Sequence, residues 1–92
     1  MTYQQRIRDK LTRSLEPDSL DIHDDSVRHN GHAGSHPQGE THFSIRIVSP
    51  SFSGLTRVAR HRLVYEILAE ELRERIHALT IKAISPTDRN PE

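Results

Sequence analysis

The sequence predicts a small α+β fold in which a three-stranded mixed sheet is covered by helices on one face. Three observations predict it. Apolar residues recur at helical spacing near the N-terminus and again over 56–76. They alternate with polar residues over 42–49 and 77–84. The resulting order is helix, strand, strand, helix, strand, so the second helix is a crossover that lets the last two strands pair in parallel with a right-handed connection. The first two strands can pair antiparallel, and each helix has one apolar face to lay on the same side of the sheet.

Each element has its own local cause. Thr2 can cap a helix over Thr2–Glu16, with Gln5 at capping-box spacing. Tyr3, Ile7, Leu11 and Leu15 form its apolar ridge, and Pro17 ends it by disfavouring helix at Glu16. Arg6, Arg8, Lys10 and Arg13 are interleaved with Asp9 and Glu16, which fits a solvated helix face rather than a transit peptide. Ser19 to about Ser26 reads as a short strand with Leu20 and Ile22 on one face. Residues 29–39 contain three Gly and Pro37 and no sizeable apolar residue, so they read as a long loop.

The clearest strand is His42–Ser49, where Phe43, Ile45 and Ile47 alternate with Ser44 and Arg46. Pro50–Gly54 is a turn around Phe52. One main helix is expected within 56–76, starting near Arg57 or Val58. Ala59, Leu63, Val64, Ile67, Leu68 and Leu72 lie on its apolar face, and Arg62, Glu66, Glu70 and Arg73 on the opposite arc. His77–Ile84 is the last strand. Residues 1–85 form a single domain, and 86–92 a flexible polar tail. There are no internal repeats.

Composition bounds the chemistry. A chain of 92 residues buries only about 60–65% of its unfolded surface, enough for one small core and not for a large enclosed active site. Thirteen basic and thirteen acidic side chains cancel, so there is no global pull on nucleic acid or anionic lipid. With no cysteine the chain has no disulfide, no thiolate ligand and no Cys nucleophile. No apolar run reaches the roughly 18–20 residues of a membrane span, and the N-terminus lacks an apolar signal core.

The unusual feature is histidine, seven in the chain. His29, His32, His36 and His42 fall within fourteen positions, and a Gly-rich loop can fold several imidazoles around one ion. A solvated polar loop rich in histidine is the plainer alternative for His32 and His36. A mononuclear zinc site is a further reading of the same loop. His42 lies on the polar parity of its strand, which points to a structural role. His61, near the edge of the helix's apolar face, reads as a packed, hydrogen-bonded core histidine. His77 stands where the main helix gives way to the last strand, on the parity of Leu79 and Ile81, and periodicity alone makes it structural.

Arg57, Arg60 and Arg62 at the start of the main helix, with Lys82 on the last strand, are the candidate nucleic-acid contacts. Against them, the only GxxG is Gly31–Gly34, in the strand–strand loop rather than between helices, and stacking aromatics are scarce. The plainer role for these arginines is pairing with Glu66, Glu70 or a partner's acidic surface. An enzyme is not indicated: there is no nucleophile elbow or P-loop, and Asp24 and Asp25 are adjacent, so on a strand they face opposite ways.

Six words of the sequence resemble the BolA family, in that family's order and at close to its spacing. They are Asp24-Asp25-Ser26-x-x-His29, Glu40-Thr41-His42-Phe43, Val48-Ser49-x-x-Phe52-x-Gly54, Arg60-His61-Arg62-Leu63-Val64-Tyr65, Leu68-Ala69-Glu70-Glu71-Leu72 and Ile76-His77-Ala78-Leu79. Each word is weak alone, but together they cover about residues 20–84. The resemblance implies a fold similar to class II KH domains. It also implies a non-enzymatic adaptor that binds a monothiol glutaredoxin and, with glutathione, bridges a [2Fe-2S] cluster in iron–sulfur assembly, trafficking or iron regulation. The family's near-invariant histidine matches His77. Its second ligand, Cys or His, comes from the loop between the first two strands; here that is His29, with His32 as the alternative.

The chemistry is consistent with that implication. A cysteine-free chain cannot hold such a cluster alone, and imidazole in place of two thiolates on one iron raises the reduction potential, as in Rieske centres. The isolated chain is therefore expected to carry no cofactor and to be a monomer or weak homodimer. The resemblance also carries transcriptional regulation, with DNA as the second partner class. The expected location is cytoplasmic, or the mitochondrial matrix or plastid after loss of a leader, with no membrane association.

Overall fold

A computed structural model describes residues 2–25 and 41–88. Its elements follow the expected order. Helix α1 (Tyr3–Leu15) is followed by strands β1 (Ser19–Asp24) and β2 (His42–Val48), a 3-10 turn at Pro50–Phe52, helices α2 (Arg57–Ile67) and α3 (Ala69–Glu74), and strand β3 (Ala78–Ile84). The capping box forms in both directions at Thr2 and Gln5. α1 ends at Glu16, whose backbone is left-handed at φ 44° and whose N–H returns to the Thr12 carbonyl, with Pro17 next in the chain.

β2 is central. It pairs antiparallel with β1, Ile22 opposite Ile45, and parallel with β3, Ile45 opposite Ile81. One face of the sheet presents Ile22, Phe43, Ile45, Ile47 and Ile81 to Ile7, Leu11 and Leu15 of α1 and to Val64 and Leu68 behind them. Phe43 and Phe52 are buried, and each contributes about 1.5–3 kcal/mol of transfer free energy. Phe52 reaches the core because Ser49 caps the 3-10 turn and Gly54 accepts φ +79° immediately after it.

The main helix is not continuous. It breaks at Leu68, whose N–H is shared between the carbonyls of Val64 and Glu66. The hydrogen-bond ladder resumes from Leu72 to the Leu68 carbonyl. α3 then presents Glu71 to α1, where its fully buried carboxylate meets Lys10 Nζ at 2.8 Å and Arg6 Nη2 at 2.8 Å. Arg6 also bridges to Glu70 and Glu74, at 3.0 and 2.9 Å. Burial alone would raise the Glu71 carboxyl; hydrogen bonds from Lys10, the backbone and Arg6 outweigh it and hold it below the ordinary range.

The expectation of a flexible tail from residue 86 is corrected for its first residues. Ser85 is buried and bonded to Ser53 at 2.6 Å. Asp88 folds back to accept the Ser85 N–H at 2.9 Å and forks onto the Arg60 guanidinium at 2.7 and 3.0 Å. The physical reason is a bidentate charged pair formed with a residue far back in the chain, which outweighs the local polarity of the segment.

Candidate functional site

The parallel pairing of β2 and β3 puts their first residues at one rim, His42 opposite Ala78. Thr41, buried just before β2, accepts at its carbonyl from the N–H groups of His77 at 2.7 Å and Ala78 at 3.3 Å. Its hydroxyl sits 2.8 Å from His42 Nδ1. The rings of His42 and His77 are thereby brought to 6.0 Å between centroids, inclined at 63°. His77 is exposed, and its ring makes no hydrogen bond among the described residues.

β1 runs antiparallel to β2, so its end reaches the same rim, Asp24 opposite Phe43. Asp25 follows and accepts a hydrogen bond from Ser44. Residues 26–40 join Asp25 to Thr41, so both attachment points of that segment lie at this rim, Thr41 bonded to His77 and Asp25 on the far side of β2. His29, with its alternative His32, and His36 themselves lie outside the described residues. Among the described residues no group of three or more His, Cys, Asp or Glu could hold a metal ion. What they offer at the rim is two imidazoles and no sulfur. That donor set fits a centre completed by ligands from outside these residues.

Two sequence readings of histidine change. His42 has the structural contact expected of it, through Thr41, but it also stands beside His77. Only the parallel register brings the two together, and nothing local in the sequence shows it. His61 is not a hydrogen-bonded core residue: it is half-buried on α2, has no hydrogen-bond partner among the described residues, and lines a groove beside β3.

The basic residues separate. Arg60 donates to the carbonyls of Leu55 and Ala83, each at 3.0 Å, as well as to Asp88. Donation to the Asp88 carboxylate holds the guanidinium more firmly protonated than usual. Arg60 is thus a structural clasp, and its partner is Asp88 rather than the expected Glu66 or Glu70. Glu70 is engaged by Arg6 and by Lys10, at 3.0 and 3.6 Å. Arg57, Arg62 and Lys82 are exposed and unpaired among the described residues. Arg57 and Lys82 share the groove with Arg60, and Arg62 lies outside its lining.

A helix–strand–strand–helix–strand domain with histidines at the rim of a half-covered mixed sheet is the class defined by this geometry. A family model described as BolA-like protein matches residues 11–88, and the chain belongs to that family. It is 48% identical over 85 residues to Protein BOLA1, chloroplastic, of Arabidopsis thaliana, covering 90% of this chain and 53% of that protein. It is 46% identical over 87 residues to SufE-like protein 1, chloroplastic/mitochondrial, of the same plant, covering 90% of this chain and 24% of that protein. The chain therefore spans about half of the one relative and about a quarter of the other. The solved structure of BolA1 from Arabidopsis thaliana superposes with a TM-score of 0.84 at 46% identity, over 95% of each chain. No helix among the described residues is long and apolar enough to cross a membrane.

Proposed function

We propose that the chain is a non-enzymatic adaptor that binds a monothiol glutaredoxin and supplies histidine ligands to a [2Fe-2S] cluster shared with that partner and glutathione. Its role would lie in iron–sulfur assembly, trafficking or iron regulation, in the cytoplasm or an organelle. One observation carries the proposal. His77 is exposed at the helix-to-strand step, 6.0 Å from the His42 ring, at the rim where both attachment points of the His29–His32–His36 segment are fixed.

Such a cluster supplies an exchangeable electron-accepting iron pair, and imidazole ligation from this side raises its potential relative to all-thiolate ligation. The chain's own part is positional. The Thr41 carbonyl holds the backbone of His77 and the Thr41 hydroxyl engages the ring of His42, so the His77 backbone and the His42 ring are placed before a partner arrives. His77 and a histidine of the 26–40 segment, His29 or His32, are the assigned ligands.

The test is co-reconstitution with a monothiol glutaredoxin, glutathione, ferrous iron and sulfide. The visible absorption and circular dichroism of the glutaredoxin's own cluster are expected to change when this chain is added. An unchanged spectrum at stoichiometric excess overturns the proposal.

A further inference from the structure

β3 is the last strand of the sheet, so its outer side is an open edge. In a parallel ladder, alternate residues turn both backbone groups toward the neighbour and the residues between turn both away. The Ala78 N–H reaches the Thr41 carbonyl, and the Ile84 carbonyl accepts from Ser49 N–H. The even-numbered residues of β3 therefore face β2, and Leu79, Ile81 and Ala83 face outward. The Ala83 carbonyl is taken by Arg60 Nη1 at 3.0 Å. The remaining outward N–H and C=O groups have no partner among the described residues.

Beside this edge, α2 and the residue Leu55 wall an open groove of about 490 Å³. Its charge is one-sided. Arg60 and Asp88 neutralise each other, which leaves Arg57 and Lys82 as unpaired cations among the described residues. Leu55 and Ile81 supply apolar surface between them. An exposed strand edge with donors and acceptors in alternation is a template for another extended chain. A groove with two free cations selects an acidic one.

We propose that the groove between α2 and the outer edge of β3 binds an extended acidic peptide segment of a partner protein by strand addition. The peptide backbone pairs with Leu79, Ile81 and Ala83, and its carboxylates meet Arg57 and Lys82. A single-stranded nucleic acid fits less well. The groove's lining has one ring, His61, and no Phe, Tyr or Trp for base stacking, the Asp88 carboxylate sits in it, and phosphate has no use for the edge carbonyls. The groove lies along β3 beyond His77, so it can be filled while the histidine rim is engaged. It does not depend on cluster ligation.

The probe is an eight-residue peptide of alternating Glu and Val, titrated into the isotope-labelled chain and followed by amide chemical shifts. Saturable shifts centred on Ile81 and Ala83 are expected. Arg57→Glu and Lys82→Glu, both at exposed positions, should each weaken binding about fivefold. The same peptide N-methylated at alternate residues should lose binding altogether. The proposal is overturned by any of four results: no saturable binding, equal binding of the N-methylated peptide, shifts centred away from β3 and α2, or displacement of the peptide by an equimolar deoxythymidine ten-mer.

Discussion

The His77 N–H is bonded to the Thr41 carbonyl at 2.7 Å. The start of the last strand is thereby stitched to the residue at which the histidine-rich segment re-enters the sheet. Two stretches 36 residues apart in the chain, counted from 41 to 77, are joined by this hydrogen bond at the start of the β2–β3 ladder. In the reconstituted mixed cluster, His77→Ala is expected to alter the visible circular dichroism more than His36→Ala. His42→Ala should have a smaller effect than His77→Ala, because the Thr41 hydroxyl already engages its ring. Equal effects at His77 and His36 would remove the assignment.

The Glu71 carboxylate is a fully buried charge bonded to two cations of α1. Glu71→Ala removes the hydrogen bonds to both cations and leaves space at a buried position, while Arg6 keeps Glu70 and Glu74 and Lys10 keeps Glu70, so it should cost about 1–3 kcal/mol of unfolding free energy. Lys10→Ala should cost about 1–2 kcal/mol, because Arg6 still satisfies the carboxylate. Urea unfolding of the two single variants and the double variant gives the coupling. A loss below about 0.5 kcal/mol for Glu71→Ala would class the cluster with ordinary surface pairs.

Asp88 sets an acid dependence. Its hydrogen bonds from Arg60 and the Ser85 N–H hold the folded carboxyl at about 2, against an ordinary 3.8. A depressed folded value means the contribution is fully present above 3.8 and is lost as pH falls toward about 2. Asp88→Asn lacks it at every pH. Thermal unfolding midpoints of the two proteins should therefore differ near neutrality and converge across that acid window. A constant offset down to the lowest pH would contradict the assignment.

Glu16 sits at the end of α1 with a left-handed backbone, φ 44°. A side chain there carries strain that glycine relieves, offset in part by the freedom glycine gains when unfolded. Glu16→Gly should raise stability by about 0.5–1 kcal/mol, read as a higher melting temperature. A lower one would mean the Glu16 side chain makes a stabilising contact that outweighs its backbone strain.

What the sequence made legible is what repeats locally. The four-residue spacing of Ile7, Leu11 and Leu15 gave α1, and the alternation of Phe43, Ile45 and Ile47 gave the central strand with its buried face. The crossover order carried the parallel pairing. The features that escaped depend on residues far apart. Glu71 and Lys10 are 61 positions apart and leave no local signature. The Leu68 break needs neither Pro nor Gly, so no breaker announced it. Asp88 and Arg60, 28 positions apart, fix a segment whose composition reads as a tail. His77 escaped periodicity for a related reason: its parity placed it with the core, while its place at the strand start left it exposed. The family words supplied the role proposed for it, which spacing alone did not.

Residues 25 and 41 are both seated on the sheet framework, one bonded to Ser44 and the other bonded to His77. The stretch between them closes a contour whose ends the scaffold already fixes. Doubling such a contour costs only about 0.6 kcal/mol in closure entropy. A change in the length or lettering of this interval is therefore expected to leave the stability of the domain beneath it almost unchanged.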